Sequence, residues 1–241
     1  MTLLALEAVR KSYWRGRHEI VVLDDVSFEV DAGELIAIYG QRAAGKTTLL
    51  RIAAGIDAPD PGAVRFDGAK IGAGRLRRLT GIHPEIGWVG RQGPFASGMR
   101  MLDHVSLPLL RSVSTDEAER QATRALKRVG VGELAGARWH ELSDAERALV
   151  AIAHAIVRRP RLLLVDDPTS GLGIEERETV VMLLRSLAEE RRMAVLASVP
   201  EIPDALRSHR VMSLSDGELI QATRRPAAEV IAFPRRLDGR A

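Results

Sequence analysis

The sequence predicts an α/β fold: a P-loop NTPase core with a mostly parallel sheet, an N-terminal antiparallel β subdomain and an inserted α-helical subdomain. Three observations carry that expectation. Gly40-Gln41-Arg42-Ala43-Ala44-Gly45-Lys46-Thr47-Thr48 matches the G-x-x-x-x-G-K-[ST] pattern between an apolar run, Leu35 to Tyr39, and a helical pattern of Leu49, Leu50, Ile52 and Ala53. Leu162-Leu163-Leu164-Val165-Asp166-Asp167 reads as a buried parallel-type strand ending in two carboxylates. Further strands and helices alternate beyond the glycine-rich loop.

Taken in order, Leu4, Leu6 and Ala8 give one strand face, Val21 to Leu23 a second short strand, and Val26, Phe28 and Val30 a third. Asp31 to Glu34 is a turn before the buried strand. Tyr13 and Trp14 fit either local packing or a ring stacked on adenine. After the loop helix, Gly55 to Gly62 is rich in turn residues, and Val64, Phe66 and the Asp67-Gly68 turn read as a hairpin. Arg75, Arg77 and Arg78 read as a solvated basic face. Ile86 to Val89 is a short strand that Gly90 to Pro94 cannot continue.

Residues from about 95 to 140 read as helical, with Leu102, Val105, Leu109 and Leu110 apolar around Pro108, and a second helix starting at Thr115. Ser143 and Glu146 form a capping box for the next helix, whose buried face is Leu149, Ile152, Ala153 and Ile156. Glu175 to Arg191 is a long helix, Met193 to Ser198 a core strand, and Val211 to Leu214 pairs with Gly217 to Ile220. The folded domain is expected over residues 1–225. The Arg/Ala/Pro-rich tail, 226–241, carries a small apolar cluster of Val230, Ile231 and Phe233.

Composition narrows the function. Aromatics are only 4%, and the net charge is +3, so a base-stacking nucleic-acid surface is not expected. The absence of cysteine excludes disulfides and thiolate metal sites. No apolar run reaches membrane-spanning length, and the N-terminus lacks a basic-then-apolar signal segment. The expectation is a cytoplasmic chain whose membrane role comes through a partner.

The loop's chemistry follows from its residues. Backbone N–H groups of the turn and of the helix start converge on one concavity suited to phosphate oxygens. In such a loop Lys46 reaches the β- and γ-phosphates and the Thr47 hydroxyl sits on Mg²⁺, while Asp166 holds the ion through its water and Asp167 orients the attacking water.

In order and motif the chain resembles the ATP-binding subunit of an ABC transporter over roughly residues 4–222. Asp103 to Leu110 is similar to the helical-subdomain entrance of lipoprotein-release, macrolide-export and cell-division ATPases. The resemblance implies ATP and Mg²⁺ as cofactors, Tyr13 as the adenine-stacking aromatic, and Gly40, Ala43, Ala44, Gly45, Lys46, Thr47 and Thr48 as the Walker A loop. Asp166 takes the Walker B position, and Leu142, Ser143, Asp144, Ala145 and Glu146 occupy the signature motif. In the family each ATP lies between one subunit's P-loop and the other's signature helix. Gly171 to Gly173 falls on the D-loop.

Departures cluster around the γ-phosphate. Ala43 replaces a glycine, Arg91 stands at the glutamine that senses Mg²⁺ and water (Gln92 is adjacent), and Asp144 and Ala145 replace two glycines. Asp167 replaces a glutamate, Gly173 an aspartate, and Val199 the switch histidine, with Pro200 at the neighbouring acidic position. The implied function is an ATP-binding subunit with weakened hydrolysis, beside a transmembrane permease and a second ATP-binding subunit, at the inner face of the membrane. Two other readings stand beside it: an active ATPase homodimer, and a regulatory scaffold that signals to a membrane partner by ATP-dependent dimerisation.

Overall fold

The computed structural model describes residues 1–72, 82–90, 98–200, 202–205 and 207–224. The basic cluster at Arg75, Arg77 and Arg78, the pair Arg91 and Gln92, and the tail 226–241 lie outside the described residues.

Strands β1 (Thr2–Arg15) and β2 (His18–Asp31) pair antiparallel along their whole length, from Thr2↔Asp31 to Arg15↔His18. The short separate strands expected over 21–23 and 26–30 are therefore one strand. The reason is local: the ladder shifts register between Leu6 and Val9 and again near Lys11, and Ala8 and Asp25 take left-handed φ of 48° and 51°. Each bulge breaks the period-two pattern that sequence reading depends on. β3 (Leu35–Tyr39) leads to helix α1 (Lys46–Ala53), and β4 (Ala63–Phe66) and β5 (Ala69–Ile71) complete a four-stranded antiparallel sheet ordered β2-β1-β4-β5.

β6 (Ile86–Val89) begins the second sheet's far edge. Then come α2 (Met101–Ser106), α3 (Thr115–Arg128) and α4 (Asp144–Ile156), followed by β7 (Leu162–Asp166), α5 (Ile174–Arg191) and β8 (Ala194–Val199). A short α6 (Ile202–Ala205), β9 (Arg210–Ser215) and β10 (Glu218–Arg224) follow. The six-stranded sheet runs β10-β9-β3-β8-β7-β6, parallel except for β10. All five residues of β7 are buried. Leu162 and Leu164 join the core beneath the antiparallel sheet and α1; Leu163 and Val165 join the opposite core with the inserted helices, α4 and α5. That two-sided burial is why β7 reads as an unbroken apolar run. Arg210 Nη1, on the largely buried Glu34 carboxylate at 3.2 Å and on the Glu29 carbonyl at 2.9 Å, ties β9 to the antiparallel sheet.

The helical insert closes on small residues. Ala118, Ala122, Ala125 and Leu126 of α3 pack against Met101, Val105 and the buried face of α4. Ser114 caps α3 by accepting from the Glu117 N–H, with Asp116 and Glu117 in its first turn and Lys127 and Arg128 in its last, as the helix dipole favours. Among the described residues no helix is long and apolar enough to cross a membrane.

Two histidines meet inside this insert. His104 of α2 is 1% exposed, and its ring lies edge-on to that of His154 of α4 at 5.8 Å. His154 Nδ1 is 3.0 Å from the His104 carbonyl oxygen. Burial pushes both imidazoles below their ordinary value by disfavouring the charged ring. An unfolded chain therefore takes up these protons first, so their contribution is whole above pH about 6.5 and is lost as pH falls below it. Thermal unfolding is expected to drop between pH about 7.5 and 5.5, by about 2–4 °C for each kcal/mol. A His104→Leu, His154→Gln double variant should flatten that slope whatever its absolute Tm; an unchanged slope would place the acid sensitivity elsewhere.

Candidate functional site

β3 delivers the chain to a tight loop whose two outer glycines are required by contact. A Cβ at Gly40 would lie 2.4 Å from the Leu214 carbonyl oxygen. Gly45 has φ +99°, and its Cβ would meet Val22 Cγ1 at 2.7 Å and the Val22 oxygen at 2.8 Å. Between them Ala43, expected to replace a glycine, is exposed with φ 68°, a left-handed conformation. Such backbone costs a non-glycine residue about 1–2 kcal/mol. α1 starts at Lys46 with no side-chain cap and no acidic residue in its first turn, so its positive end faces the loop uncompensated.

Around this helix start the structure gathers the expected groups. Lys46 Nζ donates to the carbonyls of Gly40 and Gln41. The Thr47 hydroxyl is 2.9 and 3.1 Å from the two Asp166 carboxylate oxygens, at the end of β7. Ser198, opposite Asp166 in the β7–β8 ladder, donates from its hydroxyl to Asp166 Oδ1 at 2.8 Å and accepts from the Asp167 N–H at 2.8 Å. Asp167 has φ 56°, a left-handed turn that aspartate tolerates better than most residues. A cavity of about 670 Å³ is lined by Val22, the loop from Gly40 to Thr48, Asp166, Asp167, Ser170, Ser198 and Pro200.

The donor set suits a hydrated hard cation held jointly with phosphate. Thr47 and Asp166 offer oxygen ligands, and among the described residues no group of three His, Cys, Asp or Glu could hold a metal alone. Mg²⁺ is commonly bound by one or two protein oxygens plus phosphates and water. Lys46 and the open α1 start supply the matching cationic cradle.

Other expected residues lie apart. Tyr13, on β1 and 43% exposed, does not line this cavity. Its strand is fixed by Asp60, which accepts from Lys11 Nζ and the Ser12 N–H at 2.7 Å each; those bonds, Lys11 first, hold the Asp60 carboxyl below its ordinary range. The Lys11 ammonium stands 5.6 Å from the Tyr13 ring centre. Val199 is 2% exposed in a small apolar cluster with Ala37, Ala205 and Val211, so Pro200, not Val199, reaches the cavity wall. Arg91 and Gln92 lie outside the described residues.

The segment expected as the signature motif, Leu142 to Glu146, forms the start of α4. Ser143 accepts from the Glu146 N–H at 3.3 Å while Glu146 Oε2 accepts from the Ser143 N–H at 2.8 Å, the capping box expected. Leu142 is buried and Ala145 packs against the helical core. Asp144, whose side chain is 70% exposed, pairs with Arg147 at 2.9 Å. Asp144 and Arg147 border a second cavity of about 320 Å³, shared with Asp166 and Asp167. Sequence reading missed Ser198 and Val22. Ser198 could have been found by the signal that found Asp166, a polar residue ending a buried strand; Val22 is an ordinary strand residue that gives none.

A family model described as ABC transporter matches residues 23–170. The chain is 33% identical over 221 residues to the lipoprotein-releasing system ATP-binding protein LolD of Pseudomonas syringae pv. tomato, covering 91% of this chain and 97% of that one. It is 32% identical over 234 residues to the macrolide export ATP-binding/permease protein MacB 1/2 of Paracoccus denitrificans, covering 94% of this chain but only 34% of that protein's length. Among solved structures, the dimeric post-hydrolysis state of the ATP-binding cassette MJ0796 with ADP and Pi superposes with a TM-score of 0.81 at 28% identity, over 91% of this chain and 98% of that one. A second dimeric structure of MJ0796 gives 0.82 at 29%, with the same coverage.

The loop geometry makes a direct prediction. Gly45→Ala forces a left-handed alanine against Val22 and should destabilise the chain by about 1–3 kcal/mol in equilibrium unfolding. Ala43→Gly relieves strain of about 1–2 kcal/mol but frees the unfolded chain, so it should change stability by less than about 1 kcal/mol. A neutral Gly45→Ala would mean the loop does not need that backbone.

Proposed function

We propose that this chain, which belongs to the ABC transporter family by its match over residues 23–170, is the ATP-binding subunit of a transporter complex. It binds ATP–Mg²⁺ at a dimer interface to drive or regulate a membrane permease, and it hydrolyses ATP slowly. The observation that carries the reading is the convergence of Lys46, Thr47 and Asp166 on one cavity while the groups expected to handle the γ-phosphate and water are altered. In this reading residues 1–225 are the ATP-binding domain, 226–241 a tail, and the chain sits at the inner face of the membrane through its permease.

Lys46 and the α1 N-terminus would orient the phosphates and Thr47 and Asp166 would hold the ion, while Ser198 fixes the Asp166 carboxylate by donating to Oδ1. Bound ATP–Mg²⁺ would supply the phosphoryl group for transfer to water and the cation that offsets its charge. Asp167 is the residue left to position that water. It is one methylene shorter than the family's glutamate, and a misplacement near 1 Å costs about 10²-fold in rate. Val199 packs among apolar side chains and offers no hydrogen bond to a phosphate. Tyr13 remains the proposed adenine platform, reached if the base extends beyond the cavity toward β1. An active homodimer is the second reading, favoured by Asp167 lining the cavity beside Asp166.

The isolated chain should bind ATP–Mg²⁺ in a Lys46-dependent manner and turn it over at about 0.1 s⁻¹ or less, some 10²-fold below a median enzyme. Asp167→Glu should raise the rate about tenfold, although the longer side chain must adopt the same left-handed backbone at a cost of about 1 kcal/mol. Turnover near 10 s⁻¹, abolished by Lys46→Ala, would overturn the slow-hydrolysis reading and favour the active homodimer.

A further inference from the structure

Two exposed side chains of opposite charge stand at the two halves of the site. Arg42 lies at the tip of the phosphate loop, exposed between Gln41 and Ala43, and no ion pair joins it to another described residue. Asp144 is the first residue of α4. Its acidic neighbours are engaged locally: Glu141 Oε2 accepts from the Arg138 N–H at 2.6 Å, and Glu146 caps Ser143. Asp144 is exposed and, unlike those two carboxylates, caps no backbone N–H; its partner Arg147 is also bonded to the Trp139 carbonyl at 3.2 Å and lies over that indole at 5.5 Å. An exposed i,i+3 pair of this kind contributes little and leaves most of the Asp144 charge facing solvent.

Resting on the dimer reading above, in which one protomer's phosphate loop faces the other's α4 start, these charges meet. We infer that the occupant of that face is a second copy of this chain, and that Arg42 of each copy pairs with Asp144 of the other. A two-fold contact repeats the pair, because residue i meets j while j meets i. The pair answers the electrostatic defect at α4, where a carboxylate stands at a helix start that would otherwise attract phosphate. A guanidinium brought across the interface adds to Arg147 as a counter-charge for Asp144 beside the terminal phosphate, so nucleotide need not approach an anion offset only by one exposed ion pair. A partner with no cation at the position of Arg42 would leave Asp144 facing phosphate with only its exposed pair to Arg147, which is the argument for a second copy over an unlike subunit. Cross-interface charge pairs of this kind set partner choice and carry a strong salt dependence.

Cross-complementation of the full-length chain tests this, read by sedimentation with ATP–Mg²⁺. Arg42→Glu and Asp144→Arg each place like charges together twice in a homodimer and should weaken ATP-dependent dimerisation at least about tenfold. An equimolar mixture of the two variants restores both pairs. One is the unaltered Arg42 with the unaltered Asp144, and the other joins the two substituted side chains with their charges exchanged. The mixture should dimerise within about threefold of the unaltered chain. Effects confined to one protomer cannot be rescued by mixing. A mixture no better than either variant alone overturns the pairing. An unaltered chain that binds a fluorescent ATP analogue through Lys46 yet stays monomeric overturns the second copy as occupant but leaves ATP binding standing. Failure to bind the analogue at all sinks the underlying reading together with the inference.

Discussion

The structure depends on one contact across the parallel sheet, the Thr47 hydroxyl against the Asp166 carboxylate. Thr47 belongs to the helix that β3 delivers, and Asp166 ends β7, one strand removed across β8. Ser198 of the intervening strand completes the link by donating to Asp166 and accepting from the Asp167 backbone. Three strand ends are thereby locked at the carboxyl edge of the sheet, the place where open α/β sheets put their ligands. The apolar layers packed on both faces of β7 support that edge, as fixed placement of a carboxylate requires.

What surrounds this link is less orderly. Ala43 and Asp167 both hold left-handed backbone, on either side of one cavity. Alanine has no special tolerance for that conformation, whereas aspartate does. The fold thus keeps the loop shape at a small local cost instead of changing it. The positive start of α1 carries no acidic residue and Lys46 stands at it, so anion binding is supported by backbone as much as by side chains. Two positions proposed to bear on cleavage have no such support: Val199 is absorbed into a minor core, and Asp144 carries its charge outward.

The cluster of Lys46, Thr47 and Asp166 was legible in the sequence because it is written in contiguous patterns. An apolar run, glycines at fixed offsets and a basic residue give α1 and its loop, and an apolar run with a terminal carboxylate gives β7. The capping box at Ser143 and Glu146 is equally local. The bulged β1–β2 ribbon was not, since left-handed residues at Ala8 and Asp25 interrupt the alternation and split one strand into apparent pieces. Ser198 was readable as a polar residue ending a buried strand, but its pairing with Asp166 comes from β8 lying beside β7, and the contact of Val22 with the loop comes from the placement of β2; no spacing along the chain encodes either. Nor does sequence say that position 199 points into a core, because the residues before it in that strand are buried as well.

On the proposed reading this chain holds ATP more readily than it cuts it. The most direct measurement is the chemical identity of retained nucleotide. The chain is loaded with radiolabelled ATP and Mg²⁺, freed of unbound nucleotide and analysed over time. Intact ATP persisting on the protein for many minutes, and absent from Lys46→Ala, is the predicted result. Rapid appearance of bound ADP and released phosphate would contradict it.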